Sequence, residues 1–459
     1  MTQTENFDIV IFGGGKAGKT LGMDLARAGK SVAVVEAGMI GGSCINVACI
    51  PSKTFIRSAE VAHALKDLTE FGAQADKVYT SLDIVKNRTA AVVSEMVATN
   101  QAGFDASGLE LILGWGRFVA PKTIEVDTAN GIRRLLGDRV FINLGTKAAV
   151  PNIPGLAAAD PITHVEALQL GDLPSKIVVI GGGYIGMELG QAFRRFGSEV
   201  TIIDSGSVLA PREDPDVSDA ILKVLEREGI EVILGNEIAS VSGKSGQSVT
   251  ITIADGRTFD GSHILVATGR QPRTTDIGLD LAGVELDARG FIKVDEQLRT
   301  TADDTWAMGE VAGTPMFTHA SLDDYRVVKS ALSGGGRKTS DRLIPYCVFI
   351  DPEFARIGLN ETEAERKGIR YRTAKLPMDV VPRARTLSKR AGFMKALVAA
   401  DDDRILGFSM LGVTAGEVMS VVQMAMLGGM PYTALRDGIL AHPTITEGLN
   451  MLFSNVSTG

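Results

Sequence analysis

Two of the three cysteines in the chain, Cys44 and Cys49, stand five residues apart in GGSCINVACIPSK (41–53), with Lys53 close behind. Close-set metal ligands usually follow C-x2-C, and a c-type haem site adds a histidine directly after its second cysteine. C-x4-C fits neither pattern. Thiol redox chemistry and a pair of inert buried thiols remain. Three cysteines cannot staple a framework, and in a reducing compartment a disulfide is more often catalytic than structural.

The elements around the pair repeat one device. FDIVIFGGGKAGKTLGMDLARAGKSVAVVE (7–36) reads as apolar strand, glycine turn, helix, apolar strand, and SKIVVIGGGYIGMELGQAFRRFGSEVTIID (175–204) repeats it. Gly13, Gly15 and Gly18 correspond to Gly181, Gly183 and Gly186, each set a G-x-G-x-x-G. An acid closes each unit 18 residues after the last glycine, Glu36 in the first and Asp204 in the second. Such glycines permit a tight turn, let backbone N–H groups approach a pyrophosphate, and let the helix pack closely on the strand. The closing carboxylate accepts from a ribose diol. Two dinucleotide sites in one chain suggest electron transfer between two dinucleotides, and a flavin with a nicotinamide is the natural pair.

At 459 residues the chain has room for about three domains. The expected division is 1–148 for the first dinucleotide site and 149–270 for the second, entered through VPNIPG and left through LVATGRQP. Residues 271–343 complete the first domain through GFIKVDEQLRTTADDTWAMGEVAG, and 344–459 form a last region. In that region IPYCVFIDPEFARIGL and FMKALVAADDDRILGFSMLG read as strands, GEVMSVVQMAMLGG and TEGLNMLFSNV as helices. A net charge of −8 and only 5% aromatic residues disfavour nucleic acid as a partner. MTQTENFDIVIF has no basic leader and no long apolar span follows, so a cytoplasmic protein without a membrane partner is expected.

GGSCINVACIPSK, both fingerprints, VATGRQP, WAMGE and AHPTITEG together resemble the class I pyridine nucleotide–disulfide oxidoreductases over nearly the whole chain. Dihydrolipoyl dehydrogenase, glutathione reductase and mercuric reductase belong to that FAD-dependent family. The resemblance implies an α/β, glutathione reductase-like fold: two Rossmann-like dinucleotide-binding domains plus a C-terminal α+β dimerisation domain, with FAD and NAD(P)H as cofactors. It implies that Cys49 lies next to the flavin ring and Cys44 meets the substrate, with Lys53 and Glu188 as an ion pair beside the flavin. Electrons then pass from nicotinamide to flavin to a Cys44–Cys49 disulfide. His442, in the family's HPT-x-x-E pattern, is the implied acid–base partner, oriented by Glu447 and donated across a homodimer interface. A neutral imidazole near pH 7 can deprotonate Cys44 and return the proton to a leaving thiol.

Gly269 of VATGRQP and Gly309 and Glu310 of WAMGE join the implied cofactor site. Glu310 stands where the family usually has Asp, and is expected to reach the ribityl chain. Tyr184 matches the ring that shields the flavin's nicotinamide face, with packing against the glycine turn as the alternative. No metal site is implied. An ideal helix separates Cα atoms five apart by about 7.5 Å along its axis, whereas a disulfide wants roughly 4.4–6.8 Å, so the oxidised segment must be distorted.

PSKTFIRSAEVAH, PREDPDVSDAI and VPRART look like mercuric reductase. GKAGKT, PREDPDV, FTHASLDDYRVV and AHPTITEG look closer to the reactive-chlorine-resistance flavoproteins, which include hypothiocyanous acid reductases. The expected acceptor is a small oxidant, with mercuric reductase-like and dihydrolipoyl dehydrogenase-like activities as alternatives and a flavoprotein redox sensor as the non-catalytic one. Against mercuric reductase stand the lack of an N-terminal Cys-x-x-Cys domain and of vicinal cysteines near NVSTG. Asp204 leans the second site toward NADH, and Arg212 nearby could soften that. Arg383 and Arg385 either line an anion-attracting entrance or are simply solvated. His63, His164, His263 and His319 read as solvated or structural, and Cys347 as a core thiol.

Overall fold

Thr4–Phe12 and Val32–Glu36 carry continuous apolar runs rather than alternating ones, as strands covered on both faces do. They pair in parallel, Ile9 opposite Val32 and Phe12 opposite Val35. The computed structural model describes residues 3–66, 68–73 and 79–457. The chain divides into two compact units: residues up to Phe55 with Asp83–Ala149 and Gly269–Arg342, and Ile56–Leu82 with Val150–Thr268 and the described residues from Leu343 on.

In the first unit the sheet runs Glu110–Leu113, Val32–Glu36, Thr4–Phe12, Gly131–Ile142, Thr123–Thr128, Trp115–Ala120, with Thr305–Ala307 also paired to Gly131–Ile142. The late strand brings the segment containing WAMGE back onto the first sheet. Thr4–Phe12, Gly131–Ile142 and Thr305–Ala307 are mutually parallel, and Phe12 and Ala307 both stand in register with Ile142. Their C-terminal ends therefore open on one edge of the sheet, the usual place for a ligand in an open α/β fold. Gly13, Asn143 and Met308 follow directly at that edge.

The second unit holds a parallel sheet ordered Glu231–Ile233, Glu199–Ile203, Lys176–Ile180, His263–Val266, and a three-stranded antiparallel sheet, Ile238–Lys244, Ser248–Ile253 and Thr258–Gly261. It also holds an antiparallel sheet of five strands in the order Tyr346–Val348, Glu353–Gly358, Ile405–Gly412, Phe393–Ala399, Tyr371–Pro377. Phe354, Phe408, Met394 and Met410 of that sheet are fully buried, as are Val422 of the helix Ala415–Leu427 and Leu449 and Leu452 of the helix Gly448–Ser454. A sheet with helices packed on it is the α+β architecture expected of the C-terminal region.

Lys395 is buried there, its Nζ bonded to Asp214 at 2.7 Å, Asp216 at 2.8 Å and Glu361 at 2.7 Å. Those three carboxylates could otherwise hold a cation, but the ammonium already fills the space among them. Removing a buried charge from such a set typically costs 3–5 kcal/mol, because the partners are left uncompensated. Cys347 departs from expectation. It is half-buried on the short strand Tyr346–Val348 and packs against the edge of the core rather than within it.

Candidate functional site

The first fingerprint turn follows Phe12. A Cβ on Gly18 would meet the Gly13 carbonyl oxygen at 2.5 Å, so only glycine lets the helix Lys16–Arg27 sit this close to its strand. Gly15 is the N-cap, with no side-chain cap and no acid in the first turn, so the leading N–H groups are offered to an anion. Asn143 locks the arrangement: Oδ1 accepts from the Gly18 N–H at 2.9 Å and Nδ2 donates to the Met308 carbonyl at 2.6 Å. Glu36 accepts from Gly14 N–H at 2.9 Å through Oε2, and from Gly38 and Met39 through Oε1. The closing acid therefore braces the turn as well as standing where a ribose would be read. Oε2, with a single such bond, keeps a lone pair for a hydroxyl.

Gly309 N–H donates to buried Asp324 at 2.5 Å, and Thr314 Oγ1 donates to the same oxygen at 2.8 Å. Arg342 neutralises that carboxylate. Glu310 is held by Thr146, and Arg270 Nε lies 3.3 Å from its Oε2. Gly269, left-handed at φ 122°, directly precedes that arginine and has open space where a Cβ would be.

Cys44 and Cys49 lie on two helices, Ser43–Asn46 and Cys49–Ala64, separated by a break at Val47 with φ −140° and ψ 0°. Val47 thus interrupts the helix between the two thiols. Both thiols are free and half-buried, and they share a hydrogen bond. The charge divides unequally. Cys49 is pushed down to about 6, first by the bond from Cys44, with Thr318 and the Lys53 ammonium adding to it. Cys44 is pushed up by the same bond and then by burial. Thr318 Oγ1 lies 3.5 Å from Cys49 Sγ.

In the second unit the same turn recurs. A Cβ on Gly186 would lie 2.0 Å from the Gly181 carbonyl oxygen, whereas one on Gly183 would meet nothing within 4 Å. Gly183 caps the helix Tyr184–Phe196 without a side-chain bond, leaving open space before an uncapped helix start. Asp204 accepts from Gly182 N–H and from Gly206 N–H, both at 2.6 Å. The residues of both fingerprints fit dinucleotides.

Tyr184 donates to Glu213 at 2.9 Å, and Tyr346 donates to the same oxygen at 2.6 Å. The two rings stack with centroids 6.0 Å apart. Burial pushes the Glu213 carboxyl up. Glu188, also buried, accepts from the Phe349 N–H at 2.8 Å, while Lys53 belongs to the first unit. His442 Nδ1 lies 2.8 Å from Glu447 Oε2, which leaves Nε2 facing outward on a side chain 70% exposed. Arg383 and Arg385 are exposed, the latter donating to the Asp379 carbonyl. His164 is buried, His263 touches the Ser262 hydroxyl at 3.0 Å, and His63 and His319 are exposed.

Asn143, Thr318, Asp324, Glu213 and Lys19 are the structural members that motif reading does not single out. Lys19, Glu213 and the pair Thr318 and Asp324 do lie inside quoted segments (GKAGKT, PREDPDV and FTHASLDDYRVV), but there they mark likeness and carry no role.

The sequence profile described as "Pyridine nucleotide-disulphide oxidoreductase" matches residues 7–324, and that of its dimerisation domain matches 344–452. The chain is 36% identical over 455 residues to the probable pyridine nucleotide-disulfide oxidoreductase RclA of Escherichia coli, covering 98% of this chain and 99% of that one. It is 33% identical to mercuric reductase of Bacillus cereus, covering 97% of this chain and 71% of the relative. The solved structure titled "HOCl-induced flavoprotein disulfide reductase RclA from Escherichia coli" superposes with a TM-score of 0.90 at 37% identity, over 98% of this chain and 100% of that one.

Proposed function

The chain belongs to the pyridine nucleotide-disulfide oxidoreductases, enzymes that use FAD and NAD(P)H, and on that premise we propose that its Cys44–Cys49 pair reduces a small electrophilic oxidant such as hypothiocyanous acid or a reactive chlorine species. The unequal thiol pair carries this reading: one sulfur holds negative charge against Thr318 while the other keeps a proton for exchange.

Bound FAD would supply two-electron transfer chemistry between NAD(P)H and the disulfide. Gly13, Gly15, Gly18, Glu36, Gly309 and Glu310 would hold the flavin dinucleotide; Gly181, Gly183, Gly186, Asp204 and Gly269 the nicotinamide one. Tyr184 would cover the nicotinamide face of the flavin, and Lys53 with Glu188 would set the charge beside it. Residues 1–148 with 271–343, 149–270 and 344–459 are the corresponding domains.

Cys44, once deprotonated, attacks the electrophilic atom of the oxidant and expels hydroxide. Cys49 then attacks the Cys44 sulfur, re-forming the disulfide and releasing the reduced product. His442, oriented by Glu447, takes the Cys44 proton and delivers it to the departing hydroxide. The exposed His442 imidazole, and the exposed Met424, Leu427, Met430 and Ile439 in the region matched as a dimerisation domain, support a homodimer in which the base serves the partner subunit. Among the described residues no helix is long and apolar enough to cross a membrane. In this reading the enzyme works in the cytoplasm, where NAD(P)H is supplied.

Steady-state turnover with hypothiocyanite, hypochlorite-derived oxidants, lipoamide, oxidised glutathione and Hg(II) tests the proposal. Hypothiocyanite or a hypochlorite-derived oxidant should give the highest kcat/KM. A clear preference for lipoamide or Hg(II) would move the enzyme to the dihydrolipoyl dehydrogenase or mercuric reductase branch. Flavin that NAD(P)H bleaches but none of these acceptors reoxidises would leave a redox sensor.

A further inference from the structure

Lys19 is a lysine in an unusual place. It is 5% exposed, on the first fingerprint helix, and its Nζ donates to the Gly41 carbonyl at 3.1 Å and to Asn100 Oδ1. Both partners are neutral, and among the described residues Lys19 forms no ion pair with a carboxylate. A buried ammonium without an anion is costly, so its retention needs a charge that appears in some state of the protein.

The diphosphate of a bound FAD at the fingerprint turn would be one such charge, and the Cys44 thiolate is another. Gly41 and Gly42 form the left-handed turn that leads into Ser43–Asn46, the helix carrying Cys44. A Cβ on Gly42 would meet Gly15 Cα at 2.9 Å, so the thiol-bearing turn is packed directly on the fingerprint turn, and Lys19 ties the two together. Burial and then the repulsion of Lys16 push Lys19 down to about 8, while the Cys44 sulfur draws it back up. The helix Leu82–Asp105 offers neutral Asn100 to this ammonium, and the groups that act on Cys44 are Cys49, Thr318 and Lys19.

We propose that Lys19 is the buried counter-charge of Cys44, held on the Gly41 carbonyl and Asn100 so that the Cys44 thiolate forms readily once the disulfide is reduced. The proposal rests on the reading of Cys44 as the substrate thiol. Two electrons break the sulfur–sulfur bond, and the two sulfurs then share one proton. That proton sits on Cys44 while Cys49 carries the charge. When the base removes it, the second thiolate forms beside an ammonium instead of facing only Cys49. Lys19 thus acts through Cys44, as a positioning charge.

The test uses FAD-loaded enzyme reduced with NADH and labelled with limiting iodoacetamide across pH, with the labelled cysteine identified by peptide mass. Lys19→Met removes the charge at similar length. Asn100→Asp gives the ammonium a permanent carboxylate partner while keeping its hydrogen bond. Both should slow Cys44 labelling at pH 7 by about tenfold and move its pH profile up by about one unit, the equivalent of one lost charge partner. A merely structural lysine would change flavin content or protein yield and leave that profile in place. If Lys19→Met does not accumulate as holoenzyme, Asn100→Asp decides alone. Cys44 labelling at the wild-type rate in the variants overturns the Lys19 inference and leaves the thiol assignment standing. Wild-type labelling confined to Cys49 at every pH, including alkaline pH where Cys44 has lost its proton, overturns the assignment of Cys44 as the substrate thiol and the inference with it.

Discussion

Cys49 Sγ lies 3.5 Å from Thr318 Oγ1, the first residue of the helix Thr318–Leu332, although 269 positions separate them in the chain. A hydroxyl aimed at a thiolate stabilises the charged form, and a hydrogen bond to a charged group is worth about 1.5–3 kcal/mol. In the reduced holoenzyme the thiolate absorption of Cys49 against the flavin should be present at neutral pH and fade as the pH falls through about 6. The same depression stabilises the reduced fold at pH above the ordinary thiol range, and that contribution is lost as pH falls through about 6. Thr318→Val should move the spectral midpoint up by about one unit. An unmoved midpoint would assign the charge to the Cys44 bond and Lys53 alone.

The two thiols should separate by substitution. Cys44→Ser keeps a Cys49 thiolate, so the long-wavelength charge-transfer band should persist while turnover is lost. Cys49→Ser should lose both. Absorption spectra of the reduced variants decide, and a band surviving only in Cys49→Ser would invert the assignment.

Glycine spacing and hydrophobic period reach as far as the backbone they constrain. Gly13, Gly15, Gly18 and their counterparts Gly181, Gly183 and Gly186 predict strand, turn and helix, and both units build these elements. Contacts between distant segments leave no such trace. Asn143 bonds Gly18 across 125 positions, and no local pattern surrounds it. Glu36 and Asp204 are legible as ribose acceptors, but their bonds to Gly14 and Gly182 depend on how the turn folds over the strand end. Cys347 reads as core because its neighbours are apolar, whereas its strand is three residues long and sits at the end of its sheet.

Asp204 should make NADH the better donor. Its carboxylate accepts from a free ribose 2′-hydroxyl and repels a 2′-phosphate. Arg212 is exposed eight positions on and could draw a phosphate. The ratio of kcat/KM for NADH and NADPH should favour NADH, and Asp204→Asn should narrow it by about tenfold, the size of one charged contact. A wild-type preference for NADPH would show that Arg212 outweighs the carboxylate.

His442 should act on the partner subunit's disulfide. Its imidazole is 70% exposed while Glu447, which holds Nδ1, is 12% exposed, so most of the ring is open to solvent within a single chain. Cys44→Ser and His442→Ala subunits, each inactive as homodimers, should form a mixed dimer with one intact site. About half the wild-type activity per mixed dimer is expected if the sites act independently. Mixed dimers confirmed by mass but without activity would place base and thiol in one subunit.

Hg(II) should inhibit rather than turn over. Passing a soft, tightly held ion inward requires successive thiolate ligands, since a two-coordinate dithiolate is otherwise a trap. The chain has three cysteines, and the third, Cys347, packs against the core of the region matched as a dimerisation domain. Cys44 and Cys49 would therefore close on the ion with nothing to receive or deliver it. A small oxidant needs no relay, because one thiolate attacks and its neighbour resolves the adduct. NADH oxidation followed after adding stoichiometric Hg(II) should stop, and should recover on adding excess small thiol. Sustained NADH-dependent release of Hg(0) would return the mercuric reductase reading to first place, whereas hypothiocyanite consumption that disappears in Cys44→Ser would support the small-oxidant one.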